Sequence, residues 1–162
     1  MTTETMIGVT GHQGLTVETE SKARAEIDEI LKSHDGIVGV TSLAEGADQV
    51  FAQAILDRAG QLEVVIPCDG YETTFDNAED RRRFQHLKSM ARAVTHLDFD
   101  EPSEEAFMAA GRFVVDRSEI VIAVWNGRAA AGLGGTGDVV EYAKGKSKIV
   151  HVVWPEGAAR RD

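Results

Sequence analysis

Six short apolar runs, each followed by a polar loop and then an amphipathic stretch, constrain this chain more than any other feature. The runs fall at 6–10, 37–41, 62–67, 93–99, 119–125 and 147–154. Runs of this length suit strands covered on both faces, and the alternation with helices reads as βαβ units around a parallel sheet. Helices are expected at 18–33, from the 42–48 loop to about 59, at 78–92, at 104–118 and after the glycines at 132–137. Ala23, Ile27, Ile30 and Leu31 fall on one face of the first helix, and Thr16 or Thr19 can cap it. The expected fold is a single α/β domain over 1–162, Rossmann-like, with a central, mostly parallel sheet of about six strands flanked by helices on both faces. Neither repeats nor a linker divides the sequence.

In such sheets ligands sit beyond the carboxyl ends of the strands, where the strand order reverses. Three glycine-bearing loops leave those ends: Gly11-His12-Gln13-Gly14, Ser42 to Asp48 with Glu45 and Gly46, and the loop from Asn126 and Gly127 to Gly137. The third ends in Gly132-Leu133-Gly134-Gly135-Thr136-Gly137-Asp138, directly before a helix. A helix start carries unpaired N–H donors and the positive end of the helix dipole. Glycines let the backbone turn and come close to a ligand. Together these features suit phosphate.

Other motifs are weaker. Gly132, Gly134 and Gly137 match the dinucleotide spacing, but residues 126–131 separate them from the strand. Gly145-Lys146-Ser147 lies at a helix C-terminus, the wrong end for an anion. The five histidines are scattered without metal-ligand spacing, so no metal site is expected. His12 alone sits in a ligand loop; it either donates to a ligand or hydrogen-bonds the loop. Glu45 and Asp48 open a helix, where they either complement its dipole or grip ribose or base donors. Glu141 stands one turn into the helix after the glycines, either facing a ribose or solvated.

The net charge of −10 argues against nonspecific nucleic-acid or anionic-membrane binding, so neither partner is expected. A single cysteine, Cys68, cannot form an internal disulfide and fits a reducing cytoplasm. No apolar run approaches a membrane span, and the polar start carries no signal-peptide pattern.

The segments Ile7 to His12, Ser42 to Asp48, Ile122 to Gly127 and Gly134 to Glu141 resemble the SLOG superfamily. These are Rossmann-like proteins related to the Lonely Guy phosphoribohydrolases and the DNA-processing protein Smf. The resemblance implies a nucleotide-binding domain, often dimeric, whose members either sense nucleotide-derived signals or cleave nucleoside monophosphates. The phosphoribohydrolase motif is Pro-Gly-Gly-x-Gly-Thr-x-x-Glu. Here Leu133 replaces the proline and Asp138 the threonine, while Gly134, Gly135, Gly137 and Glu141 match. The family arginine would be Arg112, about two residues from the expected spacing, or Arg117.

The expectation is therefore a protein that binds a nucleotide or nucleotide derivative, NAD- or ADP-ribose-like, with no obligatory cofactor. The expected ligand residues are Gly11, His12, Gln13, Ser42, Glu45, Gly46, Asp48, Asn126, Gly127, Gly134, Gly135, Thr136, Gly137 and Asp138. The alternatives are a phosphoribohydrolase using Glu141 and Arg112, and a protein-interaction module without ligand. A homodimer is expected from the resemblance, with Phe107 and Phe113 as candidate surplus apolar groups.

Overall fold

The computed structural model describes residues 3–130 and 132–161. Six strands, β1 (Thr5–Gly11), β2 (Ile37–Thr41), β3 (Gln61–Ile66), β4 (Ala93–His96), β5 (Ile120–Val124) and β6 (Ile149–Val153), form one sheet in the order β4-β3-β2-β1-β5-β6. Every pairing is parallel. Five helices connect them: α1 (Val17–Leu31), α2 (Ala47–Asp57), α3 (Ala78–Ser89), α4 (Glu104–Arg117) and α5 (Thr136–Gly145). The single-domain α/β architecture matches the sequence pattern.

The period of two in the strands sorts the core into two layers. Ile7 and Val9 of β1, Val64 of β3 and Ile122 of β5 face the α1, α2 and α3 side, where Ile27, Phe51, Ile55, Phe84 and Leu87 are buried. Val40, Val65 and Val121 face the other side, against Ala110, Val114, Val115 and Val139 of α4 and α5. Gly39 of β2 lets α2 approach: a Cβ there would stand 2.8 Å from Ile55 Cγ1 and 3.0 Å from the Phe51 ring. Phe51 is fully buried, and removing so large a core ring costs about 3–5 kcal/mol.

Side-chain caps mark three helix starts. Thr16 Oγ1 accepts from the N–H of Thr19, Asn77 Oδ1 from Asp80, and Ser103 Oγ from Ala106. Each supplies an acceptor to a donor that the helix leaves unpaired. The fourth strand is shorter than the expected 93–99. It lies at the sheet edge, all four residues exposed, and its chain leaves the ladder after His96.

Phe107 and Phe113 are partly buried against the chain's own core. They are not a surplus apolar face, so a homodimer rests on the resemblance alone. Residues 155–161 fold back along the loop after β1. Thr16 N–H donates to Ala159 O, Ala159 N–H to Thr19 Oγ1 at 2.8 Å, and Leu15 bridges Arg160 antiparallel.

Candidate ligand site

The strand order reverses between β1, whose chain continues to α1 on one face, and β5, whose chain continues to α5 on the other. A cavity of about 810 Å³ opens there, at the carboxyl edge of the sheet. It is large enough for a nucleotide-sized molecule.

His12 ties the loops around it together. Its N–H donates to Val124 O at 3.0 Å, and its own carbonyl accepts from Ala47 at 3.2 Å. The Asn126 N–H donates to His12 Nε2 at 3.2 Å. That nitrogen is therefore unprotonated, and the proton of the neutral ring sits on Nδ1, 3.4 Å from Thr136 Oγ1. The ring also meets Trp154 edge-on, with centroids 5.6 Å apart. Burial, reinforced by the Arg160 charge, holds the His12 pKa below its usual value.

Helix α5 differs from the capped helices. Its N-cap is Gly135, with no side-chain acceptor on its first turn. Asp138 reaches backward, and its Oδ2 accepts from the Gly134 N–H at 3.2 Å. The carboxylate thus closes the glycine loop and is absent from the cavity lining. Gly134 has φ +88°, which favours glycine. A Cβ on Gly135 would stand 2.7 Å from Ala130 Cβ, and one on Gly137 3.0 Å from Ala130 N. Residues 128–130 thus pack directly on the glycine loop.

Asp48, 8 % exposed, lies at the floor. Its Oδ2 accepts from Thr41 Oγ1 at 3.0 Å and Ser42 N–H at 3.2 Å. Burial pushes its pKa up to about 6, with those bonds pulling partly back. The same contacts hold a turn in which fully buried Leu43 has φ +59°, a conformation costly for a residue with a Cβ. Glu45 serves the neighbouring loop instead, accepting from the Gly14 N–H and from Arg161 Nη2 at 3.1 Å.

Of the expected ligand residues, Gly11, His12, Gln13, Ser42, Asp48, Asn126, Gly134, Gly135, Thr136 and Gly137 line the cavity. Glu45, Gly46, Gly127 and Asp138 do not. Gly46 supports the wall from behind: at φ +88° its missing Cβ would lie 2.7 Å from His12 O. Glu141 is exposed and outside the lining, because Val139, Val140 and Ala143 take the buried side of α5. Arg112 stands over the Tyr142 ring at 5.6 Å. Arg117 is bound to Glu63 at 2.7 Å, near the amino end of β3. The two residues that a hydrolase would need are therefore not brought together at the cavity.

The lining also holds residues that sequence reasoning missed. Arg128 is presented by its loop, where its N–H donates to Asn126 Oδ1 at 3.0 Å and its carbonyl accepts from Trp125 Nε1 at 2.8 Å. Arg160 is brought in by the folded-back segment. Tyr71, in a short 3-10 helix (Tyr71–Thr74), and Phe107 make an aromatic wall with centroids 6.3 Å apart. Tyr71 had a weak signal, an aromatic residue directly after Asp69-Gly70; Arg160 had none. Among the described residues no group of three or more His, Cys, Asp or Glu could hold a metal, and no helix is long and apolar enough to cross a membrane.

No protein-family model matches the chain, and no curated protein matches it by sequence. Solved structures do. DNA processing protein A from Helicobacter pylori aligns over 93 % of this chain and 65 % of its own, with TM-score 0.67 and 20 % identity. The Streptococcus pneumoniae protein of the same name aligns over 92 % and 50 %, with TM-score 0.64 and 18 % identity. The molybdenum cofactor binding protein from Rippkaea orientalis aligns over 96 % and 79 %, with TM-score 0.61 and 18 % identity. What this chain shares with these proteins is the fold, a parallel α/β sheet flanked by helices. The chain spans about half to two thirds of the length of the two DNA processing proteins.

One expectation is corrected by these structural neighbours. The net charge of −10 predicts no nucleic-acid partner, yet the H. pylori protein of the same fold binds single-stranded DNA. Net charge is a property of the whole molecule, whereas binding depends on the local field. Arg128 and Arg160 stand at the cavity despite the overall acidity.

Proposed function

We propose that this SLOG-fold protein binds a nucleotide or nucleotide derivative in the cavity between the β1 and β5 loops, as a sensor or binding module. The observation that carries this reading is the cavity of about 810 Å³ at the strand-order reversal, with the uncapped start of α5 in its wall. Open N–H donors and the helix dipole suit phosphate. The aromatic wall of Tyr71 and Phe107 suits a planar base.

Hydrolysis has less support. The hydrolase reading needs Glu141 near the sugar and Arg112 on the phosphate. Glu141 is exposed outside the lining and Arg112 covers Tyr142.

Native mass spectrometry of the purified protein, followed by calorimetry with AMP, ADP, NAD and ADP-ribose, tests the reading. The expected result is a bound nucleotide-sized mass or a saturable heat with at least one of these. Thr136→Phe, which fills the lining at the α5 start, should remove it while the thermal midpoint stays within a few degrees. No bound mass and no heat with any of them rejects the proposal.

A further inference from the structure

The folded-back segment contributes a cation that completes the cavity. Arg160 Nε donates to Gln13 O at 3.0 Å. Its backbone is fixed by the bridge to Leu15 and by the flanking bonds of Ala159 to Thr19 and Arg161 to Gly14. The guanidinium has no carboxylate partner among the described residues, and it lines the cavity. It is close enough to His12 to lower that ring's pKa, and His12 in turn stands 3.4 Å from Thr136 at the α5 start. Arg128 enters the same cavity from the β5 loop.

Resting on the proposed nucleotide site, we infer that Arg160 and Arg128 form the cationic arms of a pyrophosphate subsite around the start of α5. The ligand class is then a nucleoside diphosphate derivative, with two linked phosphates, rather than a nucleoside monophosphate. Two arginines and a helix start offer phosphate more than one positive group, beside the Asp48 and Glu104 carboxylates of the same lining. The planar fork of each arginine can take phosphate oxygens in pairs. An independent feature accommodates the rest of such a ligand: Tyr71, 7 % exposed, lines the same cavity, and its phenol has no hydrogen-bond partner among the described residues.

The test is calorimetry at low salt with ADP-ribose and AMP as probes, on wild type, Arg160→Gln, Arg160→Lys and Thr136→Phe. Thermal melts accompany it, since Arg160→Gln keeps the backbone bridge and should melt like the wild type. Wild type is expected to bind ADP-ribose at least about tenfold tighter than AMP. Arg160→Gln should weaken ADP-ribose binding about tenfold, leave AMP within about twofold, and reduce the salt dependence. Arg160→Lys should recover part of the loss. If Arg160→Gln binds ADP-ribose like the wild type while Thr136→Phe does not bind, the site stands and the role of Arg160 is wrong. Equal wild-type affinity for the two probes also overturns the inference. If neither probe binds the wild type, the pyrophosphate subsite is rejected outright.

Discussion

The Asn126 N–H donates to His12 Nε2 at 3.2 Å, joining the loop after β1 to the loop after β5 across the strand-order reversal. The ring can accept that bond only while Nε2 is unprotonated. Its other nitrogen faces Thr136 at the start of α5. One neutral histidine thus holds three segments of the cavity rim.

His12→Ala should leave the Asn126 N–H without its partner and loosen the rim. The expected loss is about 1–3 kcal/mol, the cost of an unpaired, half-buried donor. Urea unfolding at pH 7.5 measures it. Because burial lowers the folded pKa below 6.5, the unfolded chain binds the proton more readily. The His12 contribution is present above pH 6.5 and is lost as pH falls through the folded value.

Asp48 acts with the opposite sign. Its folded pKa of about 6 lies above the ordinary 3.8, so the folded state holds the proton more tightly. Its stabilising contribution is complete below 3.8 and is lost as pH rises through about 6. A shift of that size corresponds to roughly 3 kcal/mol. Asp48→Asn removes this falling limb, so its stability should change more positively between pH 5 and 7 than that of the wild type. Urea midpoints at several pH values read the difference; identical slopes would show that Asp48 does not titrate in this range.

Glu63, with its side chain 10 % exposed, pairs with Arg117 at 2.7 Å and Arg92 at 2.9 Å. Arg92 also holds Glu4. Glu63→Gln leaves two guanidinium groups sharing a neutral partner. Since both arginines are partly solvated, the expected cost is only about 1–2 kcal/mol by thermal melt. The Arg117 and Arg92 bonds hold the Glu63 pKa below 4.5. The pair's contribution is thus present above pH 4.5 and is lost as pH falls through the folded value, so the variant should show a flatter acid limb.

Glu141→Gln should leave nucleotide affinity within about twofold of the wild type, because the side chain is exposed and outside the cavity lining. Calorimetry with the ligand identified for the wild type checks this. A tenfold loss, or base release from a nucleoside monophosphate that disappears in this variant, would restore the hydrolase reading.

The sequence by itself determined the elements and the three loops that meet at the cavity. Buried strands such as Ile120–Val124 must be apolar throughout, and helices such as Val17–Leu31 must repeat near 3.6 residues; both patterns are local. Glycine clusters marked the loops for the same reason, although at Gly135 the glycine is needed for contact with Ala130, which spacing does not reveal. Tertiary structure alone decided which charges meet the cavity. Turning α5 so that Val139, Val140 and Ala143 are buried leaves Glu141 outside, since successive helical residues differ by about 100°. Arg117 was spent on Glu63, 54 residues away, and Arg160 reached Gln13, 147 residues away. Contacts at such separations leave no periodic trace in the sequence, so the cationic side of this cavity became visible only when the chain was folded.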